Sequence, residues 1–210
     1  MLKNFRIAVL ISGGGTTLRN LIERRRHDQL EAEIALVISN NPAAKGLGFA
    51  SDANLDHVTI GHREFDSTEA FSEAVFEQIR LAHADLVVMA GFLRRLTIPE
   101  DFTNRVINIH PSLIPAFSGK GHYGARVHQA LLDYGCKVSG CTVHFVDDHY
   151  DHGPIIAQTP VSVEADDDAS QLAARVFEAE CELYPQVINA IAAGHVTVKG
   201  RHVTWNRPHA

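Results

Sequence analysis

Arg6-Ile7-Ala8-Val9-Leu10-Ile11-Ser12-Gly13-Gly14-Gly15-Thr16-Thr17 decides the fold of this chain. Its first half is a continuous apolar run, the pattern of a strand covered on both faces, as in a parallel sheet. The glycines then make a tight turn. Residues 17–26 follow as a helix with Leu18, Leu21 and Ile22 on one face. The same alternation repeats downstream. Ile34-Ala35-Leu36-Val37-Ile38 reads as a second strand, closed by Ser39-Asn40-Asn41-Pro42, and a short helix is expected over 44–53. Val58-Thr59-Ile60 reads as a third strand. Asp66 or Ser67 can cap a helix in which Phe71, Val75 and Ile79 recur every four residues. Leu86-Val87-Val88-Met89-Ala90 and the run 106–110 are further buried strands. Strand and helix in this order imply parallel strands joined by right-handed crossovers.

The second half has a different pattern. Residues 111–121 form a loop rich in Pro and Gly, and 125–134 read as a helix ended by Gly135. Two longer strands, 138–146 and 155–163, are expected to run antiparallel across the 147–154 connection. Asp166-Asp167-Asp168 opens a long helix, where acidic residues suit the dipole. Its apolar stripe is Leu172, Val176, Leu183, Val187 and Ile191, and Pro185 is expected to kink or divide it. Residues 196–205 make a terminal hairpin or tail strands. The expectation is a single Rossmann-like α/β domain over 1–210. It has a mostly parallel sheet with helices on both faces, an antiparallel C-terminal part, and halves 1–110 and 111–210.

With 210 residues and 45% apolar content, the chain can bury a substantial core. A net charge of −6 argues against a phosphate-backbone binder, so no nucleic-acid partner is expected. No run approaches the roughly 20 apolar residues that span a bilayer. The start, Met1-Leu2-Lys3-Asn4-Phe5-Arg6, lacks a signal-peptide pattern. Cys136, Cys141 and Cys181 are three in number with no CxxC pair, which suits reduced thiols and a cytoplasmic protein without membrane contact.

Chemistry concentrates at two places. Ser12-Gly13-Gly14-Gly15-Thr16-Thr17 can aim backbone N–H groups at an anion, helped by the helix that follows. The third glycine of a dinucleotide fingerprint would fall at Leu18, and Asn40-Asn41 stand where a ribose-binding acid is expected. A single phosphate of a mononucleotide-sized ligand suits the turn better; a tight turn with no ligand is the plain alternative. The second place is Asn108-Ile109-His110-Pro111. Alternation along the strand sets Asn108 and His110 on one face with Ile109 turned to the core, and Pro111 ends the ladder. An amide donor beside a titratable imidazole can hold an oxyanion and move a proton. The carboxylate that would favour the imidazolium lies within Asp147-Asp148-His149-Tyr150-Asp151-His152-Gly153-Pro154, and the residues alone leave open which aspartate it is. His149, Asp151 and His152 match no zinc spacing, so no metal is expected. His122, His128 and His144 read as surface or packing residues.

Several separated motifs together resemble the folate-dependent formyltransferase superfamily, and within it the glycinamide ribonucleotide transformylases. They are Ile11-Ser12-Gly13-Gly14-Gly15-Thr16, Ala90-Gly91-Phe92-Leu93-Arg94, Asn108-Ile109-His110-Pro111-Ser112-Leu113-Ile114-Pro115, Thr142-Val143-His144-Phe145-Val146 and Asp151-His152-Gly153-Pro154. The resemblance implies formyl transfer from 10-formyltetrahydrofolate, a co-substrate, to the amine of glycinamide ribonucleotide in purine synthesis. It implies Asn108, His110 and Asp151 as the catalytic trio, and Gly15, Thr16, Thr17 and Glu180 as ribonucleotide contacts. It assigns the folate to Leu93, Arg94, Arg95, Leu96 and Asn108, with Asp147, Asp148, His149 and Tyr150. Both partners are then small molecules, and a homodimer is compatible with the resemblance. Thr17 stands where many members have Asn, Phe177 where some have a polar contact, and the 117–127 loop is longer than in the shortest members. A formyltetrahydrofolate deformylase carries an extra N-terminal domain, and a methionyl-tRNA formyltransferase an RNA-binding C-terminal one; the length of this chain disfavours both. A phosphate-ligand binding module or inactive homologue is the reading from another class.

Overall fold

A computed structural model describes residues 5–119, 121 and 124–206. The opening residues Met1 to Asn4, and Lys120, His122 and Tyr123 of the 117–127 loop, lie outside the described residues. Strand β1 (Arg6–Ile11) buries every residue from Ile7 to Ile11 completely. Burying a side chain of this size contributes roughly 1.5–3 kcal/mol, so β1 anchors the fold. The chain divides into two compact units, residues 1–107 and 108–210.

In the first unit, helix α1 (Thr16–Arg26) follows the glycine turn and buries Leu18, Leu21 and Ile22 as its spacing predicts. It starts one residue earlier than expected. Strand β2 (Glu33–Ser39), helix α2 (Gly46–Asp52), strand β3 (His57–Thr59), helix α3 (Thr68–Leu81) and strand β4 (Leu86–Met89) complete the series. Helix α2 is shorter than the expected 44–53. Of the two candidate caps for α3, Ser67 takes the role: its hydroxyl accepts the Ala70 N–H at 3.1 Å. Phe71, Val75 and Ile79 face the core. The strand order is β3-β2-β1-β4, and each of these pairings is parallel.

Strand β5 (Val106–His110) carries the chain into the second unit. Helix α4 (Ala125–Tyr134) ends on Gly135, whose φ of 79° is the left-handed cap its sequence calls for. Strands β6 (Val138–Phe145) and β7 (Ile155–Ser162) pair antiparallel, with β5, β6 and β7 in that order. Their register slips once, between Val143 and His144: Val143 pairs with Ala157 and His144 with Ile155, so Ile156 is an extra residue on β7. Helix α5 (Ala169–Ala192) packs on β6, β7 and α4. Asp168 caps it in a reciprocal box with Gln171.

Pro185 does not divide α5, which runs undivided through it. A proline removes one rung of the helix, but Leu183, Tyr184, Val187 and Ile188 are buried on either side of it and hold both halves to the core. Strands β8 (Val196–Lys199) and β9 (His202–Trp205) pair antiparallel as a terminal hairpin. The whole is a mostly parallel seven-stranded α/β sheet with helices and a small antiparallel C-terminal sheet. Among the described residues, no helix is long and apolar enough to cross a membrane.

Candidate active site

In the first unit, the glycine turn is built from backbone. Gly15 adopts φ 72° and a Cβ there would overlap Gly46 Cα, so glycine is required on two counts. Gly46 N–H donates to Gly13 O at 3.1 Å. The Ser12 hydroxyl donates to the Asn40 side chain and accepts the Leu93 N–H at 2.8 Å, and the Asn41 amide donates to Ser12 O at 3.3 Å. Asn40 and Asn41, the residues that stood in place of a ribose-binding acid, thus tie the end of β2 to the end of β1. No side chain caps α1, and its first turn carries no acid. Its opening N–H groups and dipole suit an anion. Gly13, Gly14 and Thr16 are exposed, and Thr17 is half-buried.

Leu93, Arg94 and Arg95 are exposed, with Leu93 at 56%. Leu96 is a core side chain, 3% exposed, so only its backbone could meet a ligand.

In the second unit, three chain segments bring four side chains together. His110, buried at the end of β5, lies with Nδ1 3.5 Å from Asp151 Oδ2. Its Nε2 is 2.9 Å from Phe117 O. A carbonyl can only accept, so Nε2 carries a proton and the ring turns Nδ1 toward the aspartate. Ser112 donates to Ala116 O and Phe117 O, at 2.7 and 3.3 Å, which fixes that carbonyl.

Asp151 adopts φ 51°, the left-handed region. Its Oδ2 accepts the Gly119 N–H at 2.9 Å. Burial would raise its carboxyl, but His144, His110 and the Gly119 N–H together hold it below the usual carboxylate range. It is thus the aspartate that the sequence left unassigned. Asp147 is engaged elsewhere, with His152 Nδ1 at 2.8 Å and the His149 N–H at 2.8 Å. Asp148, His149 and Tyr150 are exposed on the same turn.

His144 overturns its reading as a surface or packing residue. It is buried, with Nε2 3.7 Å from Asp151 Oδ1 and 3.3 Å from Asn108 Nδ2. Its Nδ1 donates to Phe145 O at 2.7 Å, which leaves Nε2 to accept one Asn108 N–H and so orient that amide. The second N–H of Asn108 then points along a fixed direction. The register slip on β7 falls opposite His144, a position where such slips re-aim side chains. The available signal was alternation: Thr142 and His144 share a strand face, and a buried imidazole needs a partner. His128, by contrast, is a core residue of α4 with no hydrogen-bond partner at Nδ1; burial, then the charge of His110, lowers its pKa.

Glu180, on α5, is half-buried rather than fully solvated. Desolvation pushes its carboxyl up to about 8. It also reaches Cys141, whose thiol burial and then Glu180 raise to about 12.

Asp147, His149 and His152 offer ligand atoms within 4.8 Å of one another. The Arg201 guanidinium, however, has Nη1 3.4 Å from both ring nitrogens of His152. A fixed cation there opposes a second one, and no metal is assigned to the set.

Residues 5–188 match the formyl transferase family. The chloroplastic phosphoribosylglycinamide formyltransferase of Vigna unguiculata is 36% identical over 189 residues; these are 89% of this chain and 60% of that protein, so the chain spans less than two thirds of its length. The phosphoribosylglycinamide formyltransferase of Haemophilus influenzae is 34% identical over 196 residues, 92% of this chain and 90% of that one. The crystal structure of glycinamide ribonucleotide transformylase 1 from Symbiobacterium toebii is similar with a TM-score of 0.90 and 38% identity, covering 96% of this chain and 93% of that one.

Proposed function

The chain belongs to the formyl transferase family, and from that premise we propose that it moves the formyl group of 10-formyltetrahydrofolate to the amine of glycinamide ribonucleotide. The observation that carries the reading is the gathering of Asn108, His110 and Asp151 around one point, with His144 orienting the amide.

The amine lone pair forms a bond to the formyl carbon, and the carbonyl pair moves onto oxygen. Asn108 donates its second N–H to that oxyanion. His110 acts through Nδ1, since Nε2 is committed to Phe117 O. The Asp151 carboxylate, 3.5 Å from Nδ1, favours the imidazolium. Collapse restores the carbonyl and breaks the bond to the folate nitrogen, which takes a proton while the amine gives one up. One oxyanion donor of this kind is worth about 3–4 kcal/mol of barrier. Gly15, Thr16 and Thr17 hold the ribonucleotide phosphate, and Glu180 contacts the ribonucleotide. Leu93, Arg94 and Arg95, with the backbone of Leu96, contribute folate contacts, as do Asn108, Asp147, Asp148, His149 and Tyr150.

Purified protein mixed with both substrates should release deformylated folate, read by absorbance, only when the ribonucleotide is present. No turnover by folded protein would refute the reading. Release without any amine acceptor would replace it with hydrolysis.

A further inference from the structure

Arg201 sits in the turn between β8 and β9, 49 residues beyond the turn that it touches. Its Nη2 donates to His152 O at 2.8 Å, and its Nη1 is 3.4 Å from both Nδ1 and Nε2 of the same residue. Equal distances set the guanidinium against the ring as a whole rather than on one lone pair. The His152 ring is in turn held by Asp147 Oδ2 at 2.8 Å, whose other oxygen accepts the His149 N–H. Residues 147–152 therefore form a closed turn, and Arg201 ties that turn to the hairpin.

Asp151 lies inside it, in a backbone conformation that a residue with a Cβ adopts only when its surroundings over-determine it. Three restraints do so. The Gly119 N–H holds the carboxylate at 2.9 Å. Gly153 approaches Phe145 O so closely that a Cβ would overlap it. Arg201 holds the carbonyl of the residue between Asp151 and Gly153. The first restraint grips the side chain and the second the far end of the turn. The third acts on the His152–Gly153 peptide, and so fixes the residue that directly follows Asp151.

We propose that Arg201 is a positioning residue for Asp151, through which the β8–β9 hairpin keeps the carboxylate beside His110. Arg201 touches no reacting group; its effect on turnover rests on the formyl-transfer reading, while its effect on the turn does not.

The test uses the full-length protein, wild type against R201A and R201K. Amide exchange at Gly119 needs no substrate and reports the Asp151 carboxylate directly. In R201A it should speed up about fivefold, with exchange in β1 and β4 unchanged. In the assay kcat should fall about three- to tenfold, more than KM for the ribonucleotide changes, as expected when a catalytic group drifts by a fraction of an ångström. R201K should recover part of both effects, because an ammonium can still donate to His152 O but cannot lie flat against the ring. Wild-type exchange at Gly119 in R201A would overturn the proposal whatever the activity. So would uniform acceleration over the whole second unit, which marks general loosening, or an unchanged kcat. If the wild-type enzyme itself fails to turn over, formyl transfer falls and the exchange result still decides the role of Arg201.

Discussion

The glycine turn after β1 and the aspartate turn after β6 each follow the end of a strand, yet they are held in opposite ways. At the first, the working atoms are backbone N–H groups, and the restraints are close backbone approaches such as Gly15 against Gly46. At the second, the working atoms belong to side chains, and the restraints are hydrogen bonds from Gly119 to the carboxylate and from Arg201 to the turn. A backbone site is sensitive to any added Cβ and indifferent to much else. A side-chain site fails when one partner is lost, even a partner that never meets the substrate.

The largest effect tests the side-chain site at its centre. His110→Ala should lower kcat about 10²- to 10³-fold with the fold intact by circular dichroism, combining lost oxyanion support and lost proton transfer. A smaller loss would mean that the imidazole is not the group that acts. Gly15→Ala is its counterpart at the backbone site. A left-handed φ and the overlap with Gly46 should cost about 2–3 kcal/mol in urea unfolding, with a raised KM for the ribonucleotide. Thr16→Ala, by the same logic, should change stability by less than about 0.5 kcal/mol.

Asp151→Asn keeps the shape of its turn but removes the charge. The alkaline limb of kcat should then move to lower pH, because the imidazolium loses its partner. His144 on β6, beside the same aspartate, and His128 on α4, which feels the charge of His110, remain in place. His144→Ala frees the Asn108 amide to rotate and should lower kcat about tenfold with little change in that limb. A pH-dependent effect lies on α5. Desolvation raises Glu180 in the folded protein from an ordinary 4.5 to about 8. The unfolded chain therefore loses its proton first, and stability falls as pH rises between those values. Glu180→Gln should flatten that fall, gaining about 1 kcal/mol at pH 8 by chemical denaturation.

Much of the fold was legible because its strands are apolar on both faces, as Ile7 to Ile11 and Leu86 to Met89 are. The Ser67 cap, the Gly135 stop and the shared face of Asn108 and His110 follow from rules that act within four residues. The misses are all long-range. Nothing near Pro185 announces that the core on both sides will keep α5 whole. His144 sits in an apolar run, Cys141 to Phe145, where one imidazole reads as packing; its role depends on Asn108 and Asp151, neither of them a sequence neighbour. Among the aspartates between β6 and β7, local rules single out none; the motif resemblance implied Asp151, and the fold sets it beside His110 through a left-handed backbone and the close approach of Gly153.

The extra residue on β7 has a bearing on how this chain can change length. Side chains on a strand alternate, so one residue more or fewer within β7 inverts which face the positions beyond it present. Deleting Ile156 would remove the irregularity and realign the ladder, but it would also turn the residues that flank the aspartate turn to the opposite side. Single-residue insertions and deletions within β7 should therefore disrupt the aspartate turn, whereas paired ones keep parity.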